Sequence, residues 1–84
     1  MRFAVRVEVR LRAGIADPEG ATIERALPAL GFGSVHGVRV GKAFRFEVEA
    51  PGPEEARRQA EALATRLLSN PVLEDSAVTV EGPA

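Results

Sequence analysis

Val35-His36-Gly37-Val38-Arg39-Val40-Gly41-Lys42-Ala43-Phe44-Arg45-Phe46-Glu47-Val48-Glu49 decides the fold, because its alternation passes through a glycine without slipping. Val38, Val40, Phe44, Phe46 and Val48 share one parity, and Arg39, Arg45, Glu47 and Glu49 the other. Period-2 alternation predicts extended chain with one buried and one wet face. A two-residue hairpin at Gly41-Lys42 would set Val38 opposite Arg45 and mix core with solvent positions. Two arrangements keep the pattern intact: one long strand that bends at Gly41, or a hairpin with a three-residue loop from Gly41 to Ala43. Ala43 is poorly suited to the left-handed position such a loop needs. The long bent strand is therefore the preferred reading.

Upstream, Phe3, Val5, Val7, Val9 and Leu11 alternate with Arg2, Arg6, Glu8, Arg10 and Arg12, which predicts a first strand over residues 3–11. Asp17-Pro18-Glu19-Gly20 then opens a helix. Asp17 is a good N-cap, Pro18 has no N–H to leave unpaired in the first turn, and Glu19 complements the positive helix end. Ile23, Ala26, Leu27 and Leu30 follow at helical spacing, with Gly31 as the stop. Pro28 would remove a bond from a helix interior, so a bend or early fraying is expected near residues 24–28.

Downstream, Pro51-Gly52-Pro53 breaks the strand and Pro53-Glu54-Glu55 opens a second helix. Its apolar stripe is Ala56, Ala60, Leu63, Ala64 and Leu67, small enough for close approach to a sheet, and Glu54 is spaced to pair with Arg58. Asn70-Pro71 ends it. A short last strand turns Val78 and Val80 inward, and Gly82-Pro83-Ala84 is expected to fray. The order strand, helix, long or double strand, helix, strand predicts one α+β domain over 1–84. It is a two-layer sandwich, with an antiparallel sheet carrying two helices on one face, related to the ferredoxin-like arrangement.

The 84 residues bury only about 60–65% of the unfolded chain's surface, too little for a two-lobed cleft. There is no cysteine and one histidine, His36, which excludes disulfides, thiolate nucleophiles and multi-histidine metal sites. A net charge of -1 argues against a polyanion binder, and the phenylalanines have inward parity where an RNA-binding sheet would expose aromatics. No apolar run approaches the length of a membrane span, and Met1-Arg2-Phe3 leads straight into the first strand, so a cytoplasmic protein is expected.

Searched for chemistry, the chain yields turns and surface groups. Gly31, Gly33 and Gly37 lie between a helix and a strand, the reverse of a dinucleotide fingerprint. Gly41-Lys42 lacks both the upstream glycine and the following hydroxyl of a phosphate loop. Glu74 and Asp75 are adjacent on extended chain and point to opposite faces, as expected of a solvated turn. The basic side chains of the first strand suit a charged outer sheet face, or an interface built from arginine–carboxylate pairs. No catalytic, cofactor-binding or metal-ligating residue is expected. An interaction or structural module is the reading from residues alone.

Three stretches then carry a resemblance. Asp17-Pro18-Glu19-Gly20, Val35-His36-Gly37-Val38-Arg39-Val40-Gly41-Lys42 and Leu67-Leu68-Ser69-Asn70-Pro71-Val72-Leu73-Glu74-Asp75 resemble, in order and spacing, the PurS family. These are the small subunits of phosphoribosylformylglycinamidine synthase. Pro28 and Pro71 depart from the pattern locally and bear on helix details. The resemblance implies a non-catalytic subunit of a purine-biosynthetic complex that uses ATP, Mg and glutamine, none of them bound by this chain. A large synthetase subunit would activate the formylglycinamide ribonucleotide amide, and a glutaminase subunit would supply the ammonia that displaces phosphate. The small subunit would bridge the two, as a homodimer or dimer of dimers, without nucleic acid or membrane. Asp17, Gly20, Gly41, Lys42, Asn70 and Glu74 are the candidates for partner contacts or for the turns that place them. The rival reading is a regulatory α+β module that binds a small molecule.

Overall fold

The computed structural model describes residues 1–84 as three strands and two helices: β1 (Arg2–Leu11), α1 (Pro18–Ala26), β2 (Gly41–Glu49), α2 (Pro53–Leu63) and β3 (Glu74–Pro83). The sheet order is β2-β1-β3, and β1 pairs antiparallel with both neighbours. β2, α2 and β3 thus form a split β-α-β unit with β1 inserted between its strands. The α+β class and the antiparallel sheet with two helices match expectation.

The alternation of β1 sets the core. Phe3, Val5, Val7 and Val9 are buried, and they meet Val48, Ala50 and the α2-side alanines Ala56, Ala60 and Ala64. Phe44, Phe46, Leu68, Val78 and Val80 close its margins. Each fully buried valine contributes on the order of 1.5–3 kcal/mol of transfer free energy. An alanine stripe costs α2 some apolar area but brings its backbone close to the sheet. The stripe ends differently from the helical spacing. Residues Ala64–Leu68 form a π turn, closed by the Ser69 amide and hydroxyl donating to the Ala64 carbonyl at 2.9 and 2.8 Å. The wider turn brings Leu68 onto the core and leaves Leu67 at 74% exposure.

Two further details depart from expectation. The strand after α1 starts only at Gly41. Residues 35–40 join no ladder, and Gly37 turns left-handed at φ 72° within them, so neither the long bent strand nor the hairpin forms. The alternation there is real, but its partner is a helix: the Val38 and Val40 amides donate to carboxylates of α1 and its cap. Second, α2 packs on the sheet while α1 packs chiefly against the turn that follows it. The chain measures 51 × 27 × 14 Å with a radius of gyration of 16.3 Å, against about 12 Å for a compact chain of this length. The stripe expected to be buried is open: Ile23 is 42% and Leu30 68% exposed.

Pro28 behaves as expected. α1 stops at Ala26, and Pro28 starts a single 3-10 turn to Leu30. Gly31, at φ 92°, closes it, with Phe32 donating to the Leu27 carbonyl and Gly31 to that of Pro28. At the C-terminus the fraying does not occur. β3 runs from Glu74 to Pro83, with a bulge opposite Ala4/Val5, and the Ala84 amide donates to the Arg2 carbonyl at 2.9 Å. The long β1 offers partners that a four-residue strand would leave unsatisfied. On α2, Arg58 pairs with Glu55 rather than Glu54.

Candidate functional site

The six candidate residues gather at one end of the sheet, where β1 leaves and β2 and β3 enter. Register places Gly41 opposite Arg10 and Glu74 opposite Leu11. Asp17, Glu19, Val40, Gly41, Lys42 and Glu74 line one shallow groove there. Gly20 is buried beside Asp17, and Asn70 sits in the turn that leads to Glu74.

Asp17 organises the first half. Its Oδ1 accepts the Gly20 amide at 2.9 Å and its Oδ2 the Val40 amide at 2.7 Å. The Gly20 bond first, then the Val40 bond and the nearby Arg39 guanidinium, hold the carboxyl below its ordinary value; burial works against them. Glu24, seven residues on and on the same helix face, accepts the Val38 amide at 2.9 Å. The two carboxylates clasp residues 38–40 along α1. The clasp explains Gly20: a Cβ there would stand 2.5 Å from the Val38 carbonyl oxygen. Gly41 is similar, since a Cβ would lie 2.9 Å from the Val9 carbonyl oxygen. Lys42 is exposed, with its ammonium 5.8 Å from the centre of the Phe44 ring.

The second half is a closed turn. Leu73 and Glu74 donate their amides to the Asn70 carbonyl at 3.0 and 2.8 Å. The Val72 amide donates to Asn70 Oδ1, and the Asn70 amide donates to Glu74 Oε1 at 2.7 Å. Arg12 pins this turn to β1, donating through Nε and Nη2 to the Pro71 carbonyl at 3.1 and 2.6 Å. Its backbone amide donates to the Leu73 carbonyl, and its Nε lies 3.7 Å from Asp75. Asp75 is thus tied to Arg12 rather than loose in a turn, and both it and Glu74 belong to β3. Around this end Leu67, Val72 and Leu73 remain exposed.

The arrangement offers carboxylates and one amine around a shallow groove whose backbone amides are already paired. No group of three or more histidine or acidic side chains converges on a metal-sized site. Lys42 has no phosphate loop beneath it. Neither the acidic side chains nor Lys42 at this end is arranged as Mg or ATP would require. No helix is long and apolar enough to cross a membrane.

The family model for PurS, described as phosphoribosylformylglycinamidine (FGAM) synthase, matches residues 4–82. The chain belongs to the PurS family. It is 43% identical over 68 residues to the phosphoribosylformylglycinamidine synthase subunit PurS of Archaeoglobus fulgidus, covering 81% of this chain and 85% of that one. The crystal structure of Methanocaldococcus jannaschii PurS, one of the subunits of formylglycinamide ribonucleotide amidotransferase in the purine biosynthetic pathway, superposes with a TM-score of 0.86 at 33% identity over 98% of this chain and 99% of that one. A chain in the structure of PurLQS from Thermotoga maritima superposes with a TM-score of 0.88 at 35% identity, covering 95% and 98%.

Against this PurS frame, the stretches that carried the resemblance are those that build the groove. Glu24 and Arg12 escaped the reading from sequence. Glu24 was traceable as the residue two helical turns beyond the Asp17 cap. Arg12 looked like one more solvated residue of β1, and nothing in the sequence tied it to Pro71, 59 positions away.

Proposed function

We propose that this chain is a non-catalytic subunit of the FGAM synthase complex. In this reading it holds a large synthetase subunit and a glutaminase subunit together while ammonia passes from one to the other. The near full-length likeness to the PurS family, including a chain of a PurLQS assembly, carries the reading. Holding two active sites in register keeps a released nucleophile at high effective concentration, a proximity effect that needs surfaces rather than reactive groups. The chain would act in the cytoplasm as one domain, and as a homodimer or dimer of dimers. The apolar side chains left open on α1 and its turn support self-association. Asp17, Gly20, Gly41, Lys42, Asn70 and Glu74 would present or shape the rim that meets a partner. Glutamine, ATP and Mg would be handled by the other subunits.

The test is reconstitution. The purified chain is mixed with a large synthetase subunit and a glutaminase subunit. Glutamine-dependent FGAM formation that appears only when all three are present supports the reading. Full glutamine-dependent activity without this chain, or turnover by this chain alone, would defeat it.

A further inference from the structure

The sheet has one face covered by α2 and one that nothing covers. On the open face Arg6, at the centre of β1, stands directly opposite Arg45 of β2, with Thr79 of β3 on its other side. Cross-strand neighbours of this kind have Cβ atoms about 4.5–5.5 Å apart, and like charges there repel. Three of the nearby carboxylates face other arginines. Glu47 and Glu49 face Arg2, and Glu8 faces Arg10. Glu81, the bulged residue of β3, pairs with neither arginine. Asp75 is held by Arg12. Arg6 and Arg45 are left with no ion pair and no side-chain hydrogen bond, although Arg6 is half-buried. Ala4, Ala43 and Ala77 keep the surrounding face low. Neither arginine lines the cavity beside Pro51 and Val80, the one beside Glu8 and Lys42, or the groove at Asp17 and Glu74.

We propose that the open sheet face centred on Arg6 and Arg45 docks against a carboxylate-bearing surface of a different protein subunit. Two adjacent guanidinium forks suit one or two carboxylates, each able to accept paired N–H donors. The cavity that reaches this face, beside Glu8, Arg10 and Ala43, is lined by neither arginine, so the pair lies on open sheet and suits a protein surface rather than an enclosed small anion. A second copy is the poorer occupant. A two-fold axis through this pair would bring four guanidinium groups together at its centre, where the nearest carboxylates, Glu8 and Glu47 of each copy, already face another arginine. Repulsion within the free chain is then relieved on docking. The proposal rests on the reading of the chain as a complex subunit and names the surface that such a subunit would use.

The experiment uses the chain with the large synthetase and glutaminase subunits. The double variant R6Q/R45Q should weaken association about thirty-fold or more, with a shallower salt dependence. The free variant should melt roughly 1–6 °C higher, because like-charge repulsion is removed. Opposite signs in the two readouts separate docking from a structural role. In a second arm, R45K keeps the charge, and a zero-length carbodiimide should couple Lys at that position to an Asp or Glu of a partner subunit, read by mass spectrometry. Wild-type affinity in R6Q/R45Q, or coupling only to a second copy, would overturn the proposal. So would protection of this position by inorganic phosphate alone with no partner cross-link. Failure of the wild-type chain to assemble would instead strike the reading of the chain as a subunit.

Discussion

The Asp17 carboxylate accepts the Val40 amide across 23 positions of sequence, at 2.7 Å, with the oxygen not used to cap α1. One side chain thus starts a helix and fixes where the chain enters β2. Bonds from the Gly20 and then the Val40 amide favour the charged form and lower its pKa. A folded value below the unfolded one means the stabilisation is full above about pH 4 and is lost as pH falls through the folded value. Asp17→Ala should therefore melt lower than wild type at neutral pH, and the gap should narrow on acidification. Melting curves from neutral pH down to about pH 2 check this. A gap of constant size would mean that the carboxylate charge is not what holds the clasp.

Gly20 faces the same clasp from the other side. Alanine normally improves a helix, by about 1 kcal/mol over glycine. Here its Cβ would press on the Val38 carbonyl, which is backbone and cannot swing away. Gly20→Ala should destabilise by roughly 1–3 kcal/mol, as overpacking does. Urea unfolding measures it, and a neutral or stabilising result would show that residues 38–40 yield easily.

How far sequence led is clear from these residues. β1 was legible because five alternating apolar positions admit one register, and the Asp17–Pro18 start of α1 because capping is local chemistry. Residues 35–40 misled because the alternation of Val38 and Val40 is the same whether their amides meet a strand or two carboxylates, and periodicity does not name the partner. Leu67 misled because a π turn shifts the phase of a helix by a bond pattern that no residue type announces. The position of α1 away from the sheet was invisible for the same reason that its apolar stripe looked like core: a stripe says that something covers it, not which molecule does. Asp17, Gly41, Lys42 and Glu74 could be singled out, but their meeting in one groove depends on strand order.

The alanine stripe of α2 sets the distance between helix and sheet. Ala60 is fully buried beneath the sheet. Ala60→Leu should cost about 1–3 kcal/mol, because the added methylenes push α2 away from the sheet. Thermal unfolding followed by far-UV circular dichroism gives the value. A rise in stability would reveal a void beside Ala60.

Lys42 is exposed, and its one close partner is the Phe44 ring. Lys42→Glu should change the stability of the free chain by no more than about 0.5 kcal/mol. If the groove rim meets a partner, the same change should weaken assembly with the other subunits, seen as a shift to the free chain on gel filtration. An unchanged complex would remove Lys42 from the interface.

Leu30, at 68% exposure, and Phe32, at 55%, lie on the turn after α1, a helix that does not use its own sheet for burial. Apolar side chains in that position gain about 25 cal/mol per Å² only when another surface covers them. In a homodimer that covering surface is the second copy. Folding of the α1 region then becomes linked to association, and melting temperature rises with concentration. The pair Leu30→Asp and Phe32→Ser should sediment as a monomer, and its melting temperature should no longer depend on concentration. Substituting exposed residues costs the free chain little by itself, so loss of the dimer without loss of the sheet is the expected outcome. A variant that still sediments as a dimer would move the self-association surface to the open sheet edges or to the Leu67–Val72 end.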